Sequence, residues 1–115
     1  MLPAGAIEAG ETAEAAVVRE VLEETGCEVR VMRLVGIYSE PAQTTIEYPD
    51  GNIVRYVALA FACRLVREGV CEASAAETAE TGWFDPVAGL PAGFADKHRL
   101  RLADALANQS AAFIR

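Results

Sequence analysis

No apolar run in this 115-residue chain approaches the ~20 residues needed to cross a bilayer, so a helical membrane span is not expected. The opening residues, Met1 to Gly5, lack the basic and apolar regions of a secretory leader, which points to the cytoplasm. Cysteine is scarce: Cys27, Cys63 and Cys71 are odd in number and show no CxxC spacing, so neither a disulfide framework nor a thiolate metal site is expected. They read as small buried or half-buried residues of a reducing compartment. Positive charge is also short, with 10 Lys and Arg against 17 Asp and Glu, a net charge of −7 and a pI near 4.6. No basic cluster is long enough to follow a phosphate backbone, which excludes sequence-independent binding of a nucleic-acid polymer.

What is present is a single domain's worth of chain, 52% hydrophobic, large enough to bury a core without staples. The informative stretch comes early. After Gly5, the spacing predicts a helix over 12–25, with Thr12 as N-cap and Gly26 as the left-handed stop. Glu11 and Glu14 favour the positive end of its dipole. Val17, Val18, Val21 and Leu22 share one side and form its buried face. Glu20, Glu23 and Glu24, at helical spacing, share another. Three carboxylates held this close repel one another, and a hard divalent cation would offset that repulsion. By charge pattern alone, an ordinary solvated acidic face is an equal reading.

Spacing separates the two. Gly5, Glu11 and the run Arg19-Glu20-Val21-Leu22-Glu23-Glu24-Thr25-Gly26-Cys27 resemble, without a gap, the signature G-x5-E-x7-R-E-U-x-E-E-x-G-U of the Nudix hydrolases, where U is apolar. At ordinary residue frequencies a chance match to its fixed positions is on the order of 10⁻⁸ per starting point, somewhat more in a chain rich in Glu. The resemblance implies a Nudix-like α/β/α sandwich around a mixed β-sheet, spanning residues 1–115 as one domain. It implies Mg²⁺ or Mn²⁺ as cofactor, with Glu20, Glu23, Glu24 and the backbone carbonyl of Ala4 as metal ligands. Gly5, Glu11 and Arg19 would support that helix. Leu2 to Gly5 is similar to the family's loop, with Ala4 in place of a common glycine.

The rest of the chain is consistent with an α/β domain. Glu28–Tyr38 alternates imperfectly and predicts a strand. Residues 39–52, with Asp50-Gly51 as a turn signal, predict a loop or irregular hairpin. Ile53–Val66 is apolar and predicts a long central strand buried on both faces. Glu72–Thr81 predicts a loop with a helical turn, Gly82–Asp85 a short strand and Pro86–Phe94 a loop. Ala95–Ala112 predicts a C-terminal helix, on which His98 is expected at the surface.

The resemblance further implies a MutT-like pyrophosphatase cleaving a nucleoside diphosphate linked to another moiety, such as ADP-ribose, or a nucleoside triphosphate. The alternative is a Nudix-fold module that binds a nucleotide with little turnover. A distal acid is expected before the Trp83 strand, Glu77 ahead of Glu80, while Tyr38 and Arg55 are candidates for holding base or phosphate. Only four residues precede Gly5, fewer than is usual in the family, so N-terminal strands are expected to be missing. The strand edge left open predicts a homodimer or strand exchange.

Overall fold

A computed structural model describes residues 2–69, 83–86, 89–90 and 93–115. The first element is a helix, α1, Ala13–Thr25. Thr12 caps it in extended conformation, its Oγ1 accepting from the Ala15 amide at 3.1 Å. Gly26 closes it at φ 74°, donating its amide to the Leu22 carbonyl at 2.8 Å. Only Ala16 of this helix is fully buried, with Val17, Val18, Val21 and Leu22 half-buried.

The chain then enters β1, Glu28–Tyr38, the strand against which α1, β4, α3 and β5 pack. A turn of helix, α2 (Pro41–Thr44), leads into β2 (Thr45–Glu47), which pairs antiparallel with β3 (Ile53–Arg55) as a separate ribbon. Next come β4, Ala58–Arg67, then α3, Asp96–Leu106, and finally β5, Phe113–Ile114. The main sheet runs β4-β1-β5, antiparallel on one side of β1 and parallel on the other, so the domain is mixed α/β with a mixed sheet. Both α1 and α3 pack on β1. Among the described residues no helix is long and apolar enough to cross a membrane.

The imperfect alternation of β1 has a structural cause. Its register with β4 slips at Glu28/Val29, Val31/Arg33 and Leu34/Gly36. The first bulge adds Val66 to β4; the other two each add a residue to β1, which reverses which of its side chains face the core and increases the local twist. Met32, skipped in the pairing, is thrown out to solvent, while Val35, also skipped, is buried.

Several expectations are corrected. The apolar run 53–66 is not one central strand. Gly51, at φ 88°, and the Asp50 carboxylate, which accepts from the Asn52 amide, close a tight turn that draws Ile53–Arg55 onto Thr45–Glu47. The run resumes as β4 at the sheet's edge, with Leu59, Leu65 and Val66 exposed. Hydropathy could not separate a central from an edge strand, because the difference lies in what pairs beside it. Trp83, Phe84 and Asp85 form no strand, and both aromatics are exposed. The expected loop over 72–81 lies outside the described residues, as does Cys71. Cys27 is buried as expected, but Cys63 is exposed.

The C-terminal helix stops at Leu106 rather than Ala112. Asn108 adopts a left-handed φ of 51°, a conformation its short side chain tolerates, and sends the chain back toward β1. There β5 lies parallel to Gly36 and Ile37, and the Arg115 amide donates to the Ile37 carbonyl at 2.8 Å.

A buried polar knot secures this return. The Tyr38 hydroxyl donates to Asp104 Oδ2 at 2.8 Å, and Arg115 grips the same carboxylate through Nη2 at 2.8 Å and Nε at 3.2 Å. Arg115, and less so Tyr38, holds the Asp104 carboxyl below the usual carboxylate range. His98, expected at the surface, is instead 4% exposed, its face of α3 turned inward.

Gly36 allows β5 to approach. A Cβ there would stand 2.9 Å from the Phe113 carbonyl oxygen and 3.0 Å from the Tyr38 hydroxyl. Gly36→Ala should therefore force β5 outward and cost about 1–3 kcal/mol, measured as a lower urea midpoint with unchanged slope.

Candidate active site

The acidic face of α1 is covered by the segment that precedes it. Gly10, at φ 83°, lets the chain turn into the helix, and the Glu11 amide donates to the Glu8 carbonyl at 3.2 Å. Upstream of that turn, Ala4 to Ala6 run along the helix in the opposite direction. The Ala4 amide donates to Glu24 Oε2 at 2.9 Å. The Glu20 carboxylate lies against Gly5, where any Cβ would displace it. The Ala6 carbonyl accepts from Arg19 Nη2 at 3.0 Å. Gly5 is thus a glycine because a carboxylate occupies the place of its side chain.

Arg19 is the centre of the arrangement. Its Nε and Nη2 fork grips Glu11 at 3.1 and 2.7 Å, a bidentate pair that only a guanidinium can make. Its Nη1 meets Glu20 at 2.7 Å and Glu23 at 3.3 Å, with Glu8 at 3.7 Å. Glu11 also accepts from the Glu8 amide at 2.8 Å. Arg19 lowers the Glu11 pKa, first through its hydrogen bond, and Glu11 and then Glu20 raise that of Arg19, so each partner favours the other's charged form.

One guanidinium therefore faces four carboxylates, with Glu24 further along the same stripe. The donors here are carboxylate oxygens, the set preferred by a hard divalent cation. Glu20 and Glu23 are turned to Arg19 in this structure. Among the described residues no three acidic, His or Cys side chains stand close enough to enclose one ion.

Of the other expected site residues, Tyr38 is buried in the Asp104 knot rather than open to a ligand. Arg55 is exposed and donates to the Ser39 carbonyl at 2.8 Å. Glu77 and Glu80 lie outside the described residues. Sequence reasoning missed Glu8 and the Ala6 carbonyl. The signal for Glu8 was its place three residues before Glu11, across a turn closed by Gly10.

Residues 1–106 match the family model described as the NUDIX domain. The chain belongs to the Nudix family. Among its relatives, an ADP-ribose pyrophosphatase of Methanocaldococcus jannaschii is 46% identical over 56 residues, 49% of this chain and 31% of that protein. A MutT-like protein of Streptomyces ambofaciens is 34% identical over 105 residues, 91% of this chain and 59% of its own length. A putative 8-oxo-dGTP diphosphatase of Bacillus subtilis is 48% identical over 40 residues, 35% and 27% of the two chains. This Nudix chain thus spans less than two thirds of each of these relatives.

Without Arg19 the carboxylates repel one another. Arg19→Gln should lower the melting temperature by several degrees at low salt, and added sodium chloride should restore part of the loss by screening. Arg19→Lys should fall between, since an ammonium keeps the charge but not the fork. Thermal unfolding at two ionic strengths checks all three proteins.

Proposed function

We propose that the chain is a Mg²⁺-dependent Nudix pyrophosphohydrolase acting on a nucleoside diphosphate linked to another moiety, ADP-ribose-like, or on a nucleoside triphosphate. Mn²⁺ is the alternative ion. One observation carries the reading: Glu20, Glu23 and Glu24 share a face of α1 along which Ala4 to Ala6 are laid, with Arg19 already bound to two of them. The names of the relatives, a pyrophosphatase and a diphosphatase among them, support the reaction class.

In this reading Glu20, Glu23, Glu24 and the Ala4 carbonyl hold the metal. When bound, the ion supplies positive charge against the diphosphate oxygens and makes water at the site more acidic. The protein's own contribution is positional. Gly5 leaves room for the Glu20 carboxylate, and Glu11 anchors Arg19 so that α1 and its loop keep their relative orientation. Glu20 and Glu23, here held by Arg19 Nη1, are the carboxylates that would face the ion, and the Arg19 fork on Glu11 would keep the helix and its loop in place. Glu77, with Glu80 second, is assigned the proton-accepting role toward the attacking water. Arg55, exposed beside Ser39, is assigned to substrate phosphate or base, whereas Tyr38, buried against Asp104, is not available for that role.

The test is release of phosphate-containing products from a panel of nucleoside diphosphate derivatives. Chelation of the metal should abolish turnover, and Glu24→Gln should reduce it more than about 100-fold. Turnover indifferent to Glu24→Gln would rule out the acidic helix as the seat of the chemistry. Tight nucleotide binding without turnover would identify a binding module instead.

The open β4 edge supports a homodimer. Leu59, Leu65 and Val66 are exposed on this strand, and its only partner among the described residues is β1. A second copy pairing there should double the apparent mass in size-exclusion chromatography at micromolar concentration. A clean monomer would refute it.

A further inference from the structure

We infer that the N-terminal half of α3 carries a second ligand site, in which the Arg101 guanidinium and the His98 imidazole bind a phosphate-type oxyanion. Both residues lie on one face of α3, three positions apart. His98 is 4% exposed, and its Nδ1 is buried with no hydrogen-bond partner. Nε and Nη2 of Arg101 are likewise buried and without partners. Those two nitrogens form the edge of a guanidinium whose parallel N–H groups grip an oxyanion bidentately.

Three nitrogens left orphaned together are unusual, because buried polar groups in folded proteins are nearly always paired. The acid best placed on the same helix to answer Arg101 is Asp104, at helical spacing. It is already taken by Tyr38 and Arg115. Arg101 is also held in place: its guanidinium carbon stacks 5.2 Å above the centre of the Tyr38 ring, which fixes the plane of the fork. The His98 ring is oriented by the edge of Phe94, at 5.9 Å between centroids.

The surroundings are cationic in a chain of net charge −7. Lys97 reaches the Tyr56 hydroxyl at 3.3 Å, and no described carboxylate pairs with Arg101. Burial, followed by Arg101 and Lys97, pushes the His98 pKa down to about 4. At neutral pH His98 is therefore an uncharged imidazole with a free ring nitrogen. An oxyanion seated on Arg101 would counter both cationic neighbours and pull that pKa upward.

The chain's single histidine reports on this site alone. The full chain, with EDTA present and ionic strength matched with chloride, is titrated with inorganic phosphate and, in parallel, with a nucleoside monophosphate. His98 ring resonances are followed by proton NMR. Both ligands share the chemistry, and the tighter one identifies the source, free phosphate or a phosphate ester. The expected result is a saturable shift of the His98 signals and a rise of its pKa by about one unit or more. Arg101→Gln should abolish saturation. Arg101→Lys, which keeps the charge but loses the fork, should weaken it about tenfold and decides the matter if Arg101→Gln does not fold. Glu24→Gln should leave the titration unchanged, which separates this site from the metal helix. His98 signals unmoved by either ligand, a titration unaltered in Arg101→Lys, or one lost in Glu24→Gln would each overturn the inference.

Discussion

One guanidinium among several carboxylates decides how the first third of this protein is arranged. Arg19 sits where α1 would otherwise present an unrelieved run of negative charge. It binds Glu11 through its fork and Glu20 and Glu23 through its remaining nitrogen, so it ties the turn before the helix to the helix itself. The contact at Ala6 and the fit of Glu20 against Gly5 follow from that anchor. A lysine could neutralise the charge but could not define the geometry, because its ammonium offers no planar pair of donors.

The opposite end of β1 depends on a second, differently built charge centre. Asp104 is buried, and it is stable there because Tyr38 and Arg115 satisfy its oxygens from two other elements. This joins α3, β1 and the C-terminal residues where apolar burial is sparse. Val35 and Tyr38 are the only fully buried apolar side chains described on β1. Among the described residues Arg101 of α3 has no such partner, so the molecule sets an acidic stripe on one helix and an unsatisfied guanidinium on another.

Membership of the Nudix family accounts for the first centre and is silent on the second. The motif residues Gly5, Glu11, Arg19, Glu20, Glu23 and Glu24 converge in the structure, whereas Arg55 and Tyr38 do not join them through any described contact. The residues that converge are close in sequence, on one helix and its loop, whereas Arg55 and Tyr38 belong to separate elements.

Local structure was legible because its causes are local. Thr12 and Gly26 bound α1 through caps within a few residues, helical spacing put three glutamates on one face, and Asp50-Gly51 announced a turn. Tertiary structure alone decided the rest. The run after Ile53 was split between a small ribbon and an edge strand by pairing partners distant in the chain. The last helix ended early because β5 had to return beside Gly36, and His98 was buried by the packing of α3 rather than by its own neighbours. Short-range hydrogen bonds and periodicity can be read from residue order, but pairing across the sheet and the burial of a polar side chain depend on contacts that no local stretch contains.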